Sequence, residues 1–267
     1  MTHVVCRQLA PTLGDLAANH GRIRQVIAEE TAAGADILVL PELATSGYVF
    51  QSASEVDACA IPATDPRIAE WSAAIRGRSV VVCGYAERGD DGAFYNSAVA
   101  LNASGVLANY RKTHLWDREK LFFTPGTEPA PIVATPYGRV AVMICYDLEF
   151  PEYTRRVALD GAALIAVPTN WPLMPRPGGE RPSEIFIAQA AAHVNKVAIA
   201  CCDRTGTERG QEWTEWTSII DPNGWLTATA TAHAARADLD LAQTHDKTLS
   251  PRNDLFDDRR TDLYLPH

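Results

Sequence analysis

The sequence has little that would direct it to a nucleic acid, a membrane or an oxidising compartment. Lys and Arg number 24 against 33 Asp and Glu, a formal net charge of -9, and no basic stripe interrupts that balance. A chain of this sign lacks the electrostatic footprint for phosphate backbones or anionic lipid. No apolar run approaches the roughly 20 residues that span a bilayer. The opening MTHVVCRQLAPTLGD has neither the basic start nor the apolar stretch of a signal peptide. The six cysteines (Cys6, Cys59, Cys83, Cys145, Cys201 and Cys202) include no C-x-x-C and follow no regular spacing, which argues against a disulfide framework or a zinc site. Internal repeats, low-complexity stretches and linkers are also lacking. The expectation is a reduced, cytoplasmic, soluble protein with no metal, nucleic-acid or membrane partner.

What is present is an alternation of short apolar runs and longer amphipathic ones. The 267 residues are 46% hydrophobic and 21% charged, enough to bury a sizeable core. VVCRQL (4–9) reads as a strand. The helix that follows carries Leu16, Ile23 and Ile27 on one face and stops at Gly34. ADILVLP reads as a buried strand, and 66–77 as a helix with Ile68, Trp71 and Ile75 along one side. SVVVCGYAE and FYNSAVALNAS are strands joined through the turn RGDDGA, and GVLANYRK is another. Strand 138–145, a helix near 151–160, strand 162–169, helix 183–195 and strand KVAIACCDR repeat the pattern, and a hairpin turning at Pro222-Asn223-Gly224 closes it. Strands flanked by helices and joined partly by hairpins predict an α/β fold with a mixed sheet. NWPLMPRPGGERP reads as a long functional loop. A single domain over 1–241 is expected, with 242–267 as a tail docked on the domain or on a partner subunit.

Three strands end in reactive residues: DILVLPE in Glu42, GVLANYRK in Lys112 and VAVMIC in Cys145. Strand carboxyl ends are where sites form in α/β sheets, because the loops diverge there. Each residue has a plain alternative: a helix-capping glutamate, a solvated lysine, a core cysteine that acts as a small hydrophobe. Together they form a complete set for acyl transfer through a thioester. A free thiol titrates near ~8.5 and needs activation. A carboxylate can take its proton as it attacks. An ammonium offsets the carboxylate's repulsion of the thiolate and, with the Tyr146 N–H, stabilises the oxyanion that forms.

At these residues the sequence resembles the nitrilase superfamily of carbon–nitrogen hydrolases. The matching stretches are LVLPELATSGY around Glu42, YRKTHLW around Lys112 and GRVAVMICYDLEFPE around Cys145, in the family's order and spacing, with similarity from residue 3 to roughly 240. The resemblance implies a four-layer αββα sandwich with mixed sheets, a cytoplasmic enzyme without metal or organic cofactor, and a homodimer or larger homo-oligomer. It implies Cys145 as nucleophile, Glu42 as general base, Lys112 as electrostatic stabiliser and Glu119 as a second glutamate that positions substrate, with Glu128 a weaker contender. It also places Tyr48, Trp116, Tyr146, Asn170 and Trp171 at the substrate pocket.

Nitrile-cleaving members usually follow the cysteine with Trp-Glu; this chain has Tyr146-Asp147, as amidase-type branches do. The expected reaction is therefore hydrolysis of small primary amides to carboxylate and ammonia. N-carbamoyl-amine or N-carbamoyl amino acid hydrolysis is the alternative, with nitrile hydrolysis and a non-catalytic binding role behind it. An arginine for a substrate carboxylate would be Arg176 or Arg181, and an acid for a substrate amine would be Glu149 or Glu180. Arg155 and Arg156 read as helix-surface partners of neighbouring acids. Cys201-Cys202 before Asp203 reads as core strand and His114 as a satisfied structural histidine. ERGQEWTEW reads as a loop that either reaches a partner's pocket or serves no site.

Overall fold

The computed structural model describes residues 1–264; the last three residues of the expected tail, 265–267, lie outside the described residues. Two six-stranded mixed sheets stack between helices, giving the αββα sandwich. The first sheet takes β1 (Thr2–Arg7), β2 (Ile37–Val39), β3 (Val80–Arg88), β4 (Phe94–Asn102) and β5 (Gly105–Arg111). The second takes β6 (Ile132–Thr135), β7 (Gly138–Val142), β8 (Leu164–Pro168) and β9 (Ala198–Cys202). After a small hairpin of β10 (Thr207–Glu208) and β11 (Gln211–Glu212), β12 (Ser218–Ile220) and β13 (Leu226–Thr229) extend the second sheet. β14 (Ala234–Leu239) then crosses back to the first and pairs antiparallel with β1, Thr2 opposite Leu239. The helices are α1 (Leu16–Ala32), α2 (Ala53–Cys59), α3 (Pro66–Ala74), α4 (Pro151–Leu159) and α5 (Ser183–Asn195).

Each sheet is built on three parallel strands, β1-β2-β3 in one and β7-β8-β9 in the other, with antiparallel strands outside them. Parallel strands must be covered on both faces, and the side-chain alternation shows how. Val4 and Cys6, Ile37 and Val39, Val82, and Ala98 and Ala100 join the core shared with the second sheet. Their neighbours Val5, Leu38, Leu40, Val81, Cys83, Val99 and Leu101 pack with Ile23, Ile27, Ile68 and Trp71 of α1 and α3. Both faces are apolar, so these strands show no polar alternation in sequence. α4 and α5 cover the second sheet with Val157, Ile185, Ala188 and Ala192.

Boundaries differ from expectation at several places. The first strand runs over Thr2–Arg7 rather than 4–9, because its register is set by pairing with β14 and β2. The second long helix ends at Ala74, and Ile75 is extended as its cap. α2, β6 and the β10–β11 hairpin have no counterpart in the expected elements. Of the tail, Lys247 donates to the carbonyls of Asn195 and Lys196 at the end of α5 (3.0 and 2.9 Å). The Arg155 guanidinium and the Lys247 ammonium both stack on Phe256, at 5.1 and 4.8 Å. Among the described residues no helix is long and apolar enough to cross a membrane.

Candidate active site

The parallel triplets end on the same side of the sandwich, and their carboxyl ends bring chemistry together from both sheets. Pro41 and Glu42 follow β2, Lys112 follows β5, and Cys145 follows β7 after Met143 and Ile144. Lys112 and Glu42 are fully buried, and Cys145 is 6% and Glu119 3% exposed. The Lys112 Nζ donates to Glu42 Oε1 (2.7 Å) and to Glu119 Oε1 (2.8 Å). Asn96 of β4 donates to the same Glu42 oxygen (2.7 Å), while Glu42 Oε2 has no partner in the protein. From the opposing sheet, Asn170 holds the Glu42 backbone carbonyl through its side-chain N–H (2.9 Å).

Backbone conformation explains why the reactive residues stand clear of their strands. Cys145 is left-handed at φ 48°, and so is Leu43 beside Glu42 at φ 47°. Non-glycine residues take that region at a cost, and such positions gather at functional sites. The bend at Cys145 is locked by Asp147, a buried carboxylate. It accepts from the Ile144 N–H (3.0 Å), from the Tyr110 hydroxyl (2.8 Å) and from the His114 N–H (3.1 Å). One acid therefore ties the cysteine turn to the loop that leaves Lys112. His114 is part of that tie, its ring 2.7 Å from Asp147 and stacked on Phe150 at 3.8 Å. Two glycines let the backbones approach. A Cβ on Gly84 would stand 2.5 Å from the Glu42 Cα and 2.6 Å from the Pro41 carbonyl, and one on Gly126 would collide with the Arg111 carbonyl.

The electrostatics follow from burial and the single cation among two carboxylates. Burial raises Glu42 to about 7, and Lys112 only partly offsets it while Glu119 adds to it. Burial alone would lower Lys112, but Glu119 and Glu42 outweigh it and hold the ammonium charged. Burial and Glu42 raise Cys145 well above an ordinary thiol, so the resting residue keeps its proton. The Tyr48 hydroxyl, raised first by burial and then by Glu119, donates to Glu119 Oε1 at 2.6 Å. An ammonium has three protons to give; two are used on the carboxylates and one remains.

Beside this centre lies a cavity of about 320 Å³ walled by Tyr48, Phe50, Trp116, Phe123, Met174 and Trp213, with Arg118 and Glu119 also in its lining. Of the pocket residues expected from sequence, Tyr48 and Trp116 line it. Tyr146 packs edge-on against Trp116 (4.9 Å). Asn170 is turned to the Glu42 carbonyl, and Trp171 is 3% exposed in the core, its backbone N–H on Asp203 (3.0 Å). Trp213, from ERGQEWTEW, stands in this chain's own cavity wall, edge-on to Tyr48 at 5.4 Å. Asn96 was not expected at the site, Asp147 was weighed only as half of the Tyr146-Asp147 pair, and Trp213 only within a loop that either reaches a partner's pocket or serves no site. Asp147, two residues past the cysteine, was the one with a local signal. Arg176 and Arg181 are exposed and border, with Glu180, a groove that adjoins the cavity at Pro172 and Met174. Glu128 is exposed and lies on another groove with Arg111. Among the described residues no group of three or more His, Cys, Asp or Glu is arranged to hold a metal ion.

Residues 3–246 match the family described as carbon-nitrogen hydrolase. A protein named nitrilase from Pyrococcus abyssi is 34% identical, with 99% of this chain and 100% of the relative covered. An (R)-stereoselective amidase from a Pseudomonas species is also 34% identical, covering 95% of this chain and 89% of that one. Among solved structures, an amidase variant from Nesterenkonia sp. AN1 superimposes with a TM-score of 0.79 at 25% identity, covering 98% of this chain and 95% of that one. It carries the acetamide moiety of fluoroacetamide on its active-site cysteine. The chain belongs to the carbon–nitrogen hydrolase family, the nitrilase superfamily. It is a hydrolase of non-peptide carbon–nitrogen bonds, and its amidase relatives support amides as the bonds it cleaves.

Proposed function

We propose that the chain hydrolyses small primary amides, with Cys145 as nucleophile, Glu42 as base and acid, and Lys112 as oxyanion donor. The observation that carries this reading is the asymmetry of Glu42: one oxygen pinned by Lys112 and Asn96, the other without a partner. The Cys145 thiol gives its proton to Glu42 as sulfur bonds to the amide carbon. The carbonyl π electrons move to oxygen, where the third Lys112 proton and the Tyr146 N–H receive the charge. Protonated Glu42 passes its proton to the amide nitrogen, the carbon–nitrogen bond breaks, and ammonia leaves a thioester. Water then attacks, Glu42 takes its proton and returns it to sulfur, and the carboxylic acid departs. A base titrating near neutrality suits both halves, because it must accept and release a proton in each turnover.

Glu119, itself bonded by the Tyr48 hydroxyl, holds Lys112 from the other side, and the aromatic cavity takes a compact, largely apolar acyl group. Cleavage of N-carbamoyl compounds is a second reading on the same residues. It rests on Arg118 at the cavity, a cation that can face a substrate carboxylate. The six free cysteines accord with a reducing, cytoplasmic setting. Leu159, Phe186 and Val194, 40 to 48% exposed on α4 and α5, support a homodimer through that face.

The test is ammonia release from a panel of short-chain and aryl primary amides, lactams, N-carbamoyl amino acids and nitriles, run beside Cys145→Ala. Turnover of plain amides that disappears in the variant is expected. Turnover confined to carbamoyl compounds moves the substrate to the second reading, and activity that survives Cys145→Ala removes the assignment.

A further inference from the structure

A second buried cation–carboxylate pair stands behind the cavity wall. Arg204 is 1% and Glu208 5% exposed, and neither lines the cavity. Glu208 Oε1 accepts from the backbone N–H groups of Tyr48 (2.7 Å) and Val49 (2.5 Å). Its other oxygen accepts from Arg204 Nη1 at 2.8 Å, and Arg204 Nη2 donates to the Pro11 carbonyl at 3.3 Å. The guanidinium lies 4.7 Å over the Trp213 ring, which itself meets Tyr48. This approach needs a glycine at 47: its φ is +79°, and a Cβ there would stand 2.6 Å from Glu208 Oε2.

Burying such a pair is costly, and apolar side chains would close a loop at least as firmly. What a buried carboxylate adds is direction. Two N–H groups converge on one oxygen, so the turn that carries Tyr48 has one orientation. At the far end of that side chain the hydroxyl reaches Glu119 Oε1 at 2.6 Å, the oxygen that also takes Lys112.

We propose that Glu208, held by Arg204, is a positioning residue for the reactive centre, fixing the Tyr48 backbone so that its hydroxyl stays on Glu119. This inference rests on the catalytic reading given above. With the hydroxyl in place, Glu119 is partly satisfied and Lys112 keeps its third proton for the substrate oxygen. With the turn released, Tyr48 leaves Glu119, the ammonium is drawn toward that carboxylate, and oxyanion stabilisation falls.

The experiment is a double-mutant cycle in kcat and KM, using the best substrate of the panel, on wild type, Glu208→Ala, Tyr48→Phe and the double variant. Each single substitution is expected to lower kcat by roughly ten- to a hundredfold, with a smaller change in KM. The double variant should be no slower than the slower single. A kcat that is unchanged in Glu208→Ala while thermal stability falls overturns the proposal, and so do losses that multiply. If the arginine left unpaired prevents folding, the same cycle is run with Glu208→Leu and Arg204→Met together, under the same criterion. Activity that persists in Cys145→Ala would defeat the underlying reading. Cys145-dependent activity with multiplying losses defeats only the role of Glu208.

Discussion

Two neighbouring residues at the end of β5 each engage a buried glutamate, and the two pairs are built to opposite ends. Arg111 serves Glu87 of β3, and Lys112 serves Glu42 after β2. Glu87 is filled: Arg111 gives it two hydrogen bonds (3.0 and 2.6 Å), Ser97 one (2.6 Å) and Asn109 one (2.9 Å). Burial would raise it, but those donors prevail and hold it below the usual carboxylate range. Glu42 has one oxygen without a donor and is raised to about 7. Burial and a cationic neighbour are common to both. What separates a carboxylate that holds the fold from one that can take a proton is the unfilled acceptor, together with the second carboxylate, Glu119, beside Glu42.

The sharpest way to break this comparison is to remove the group that Glu42 is proposed to serve. Cys145→Ala should lower kcat by about 10⁴–10⁶, measured as ammonia release, with the melting temperature within a few degrees of wild type. Glu42→Gln should cost about 10²–10⁴ in kcat/KM and leave the protein as stable or more so. Glu87→Gln reverses the pattern, with near-normal turnover but a loss of about 1–2 kcal/mol in denaturant unfolding, toward the low end because Arg111 is partly exposed. If both glutamates behave alike, the distinction fails.

Acidity separates them further. The folded chain holds a proton on Glu42 that the unfolded chain, titrating near 4.5, has already lost. That stability is complete below about 4.5 and vanishes as pH rises through about 7. Glu87 works in the other sense, stabilising above the ordinary carboxylate range and less so as pH falls through its lowered value. The advantage of Glu42→Gln over wild type should therefore grow between pH 4.5 and 7, whereas the deficit of Glu87→Gln should shrink in acid. In wild type the acid limb of kcat/KM should centre near 7, reported by the coupled centre rather than by one residue. Gly84→Ala tests the same region through the backbone, because its methyl would collide with the Glu42 Cα. Its cost should be about 1–3 kcal/mol, with a slowed kcat and an unchanged substrate preference across the panel.

Much of this arrangement was legible because strand ends and loop residues carry local signals. The helix over 183–195 and the turn at Pro222-Asn223-Gly224 are where their sequences placed them. Glu42, Lys112 and Glu119 do converge, as hydrogen bonds show. What could not be read locally depends on pairing across the chain. β14 joins the first sheet after all six strands of the second have been laid down, and nothing in ARADLDL names β1 as its neighbour. Asn96 sits within an apolar strand, and only the approach of β2 and β5 makes it a donor to Glu42. Glu208 resembles any charged loop residue until Tyr48, 160 residues earlier, is brought against it.

The raised thiol at Cys145 also determines how this protein meets oxidants. Peroxides and disulfides attack thiolates, and oxidation follows thiolate character and exposure. Burial likewise lifts Cys6, Cys83, Cys201 and Cys202 and, less far, Cys59. A chain with six free thiols thus offers almost no thiolate at rest. Its sulfur becomes vulnerable only when a carbonyl sits beside it to receive the electrons, so an electrophile shaped like an amide should disable the enzyme at concentrations where hydrogen peroxide leaves it intact.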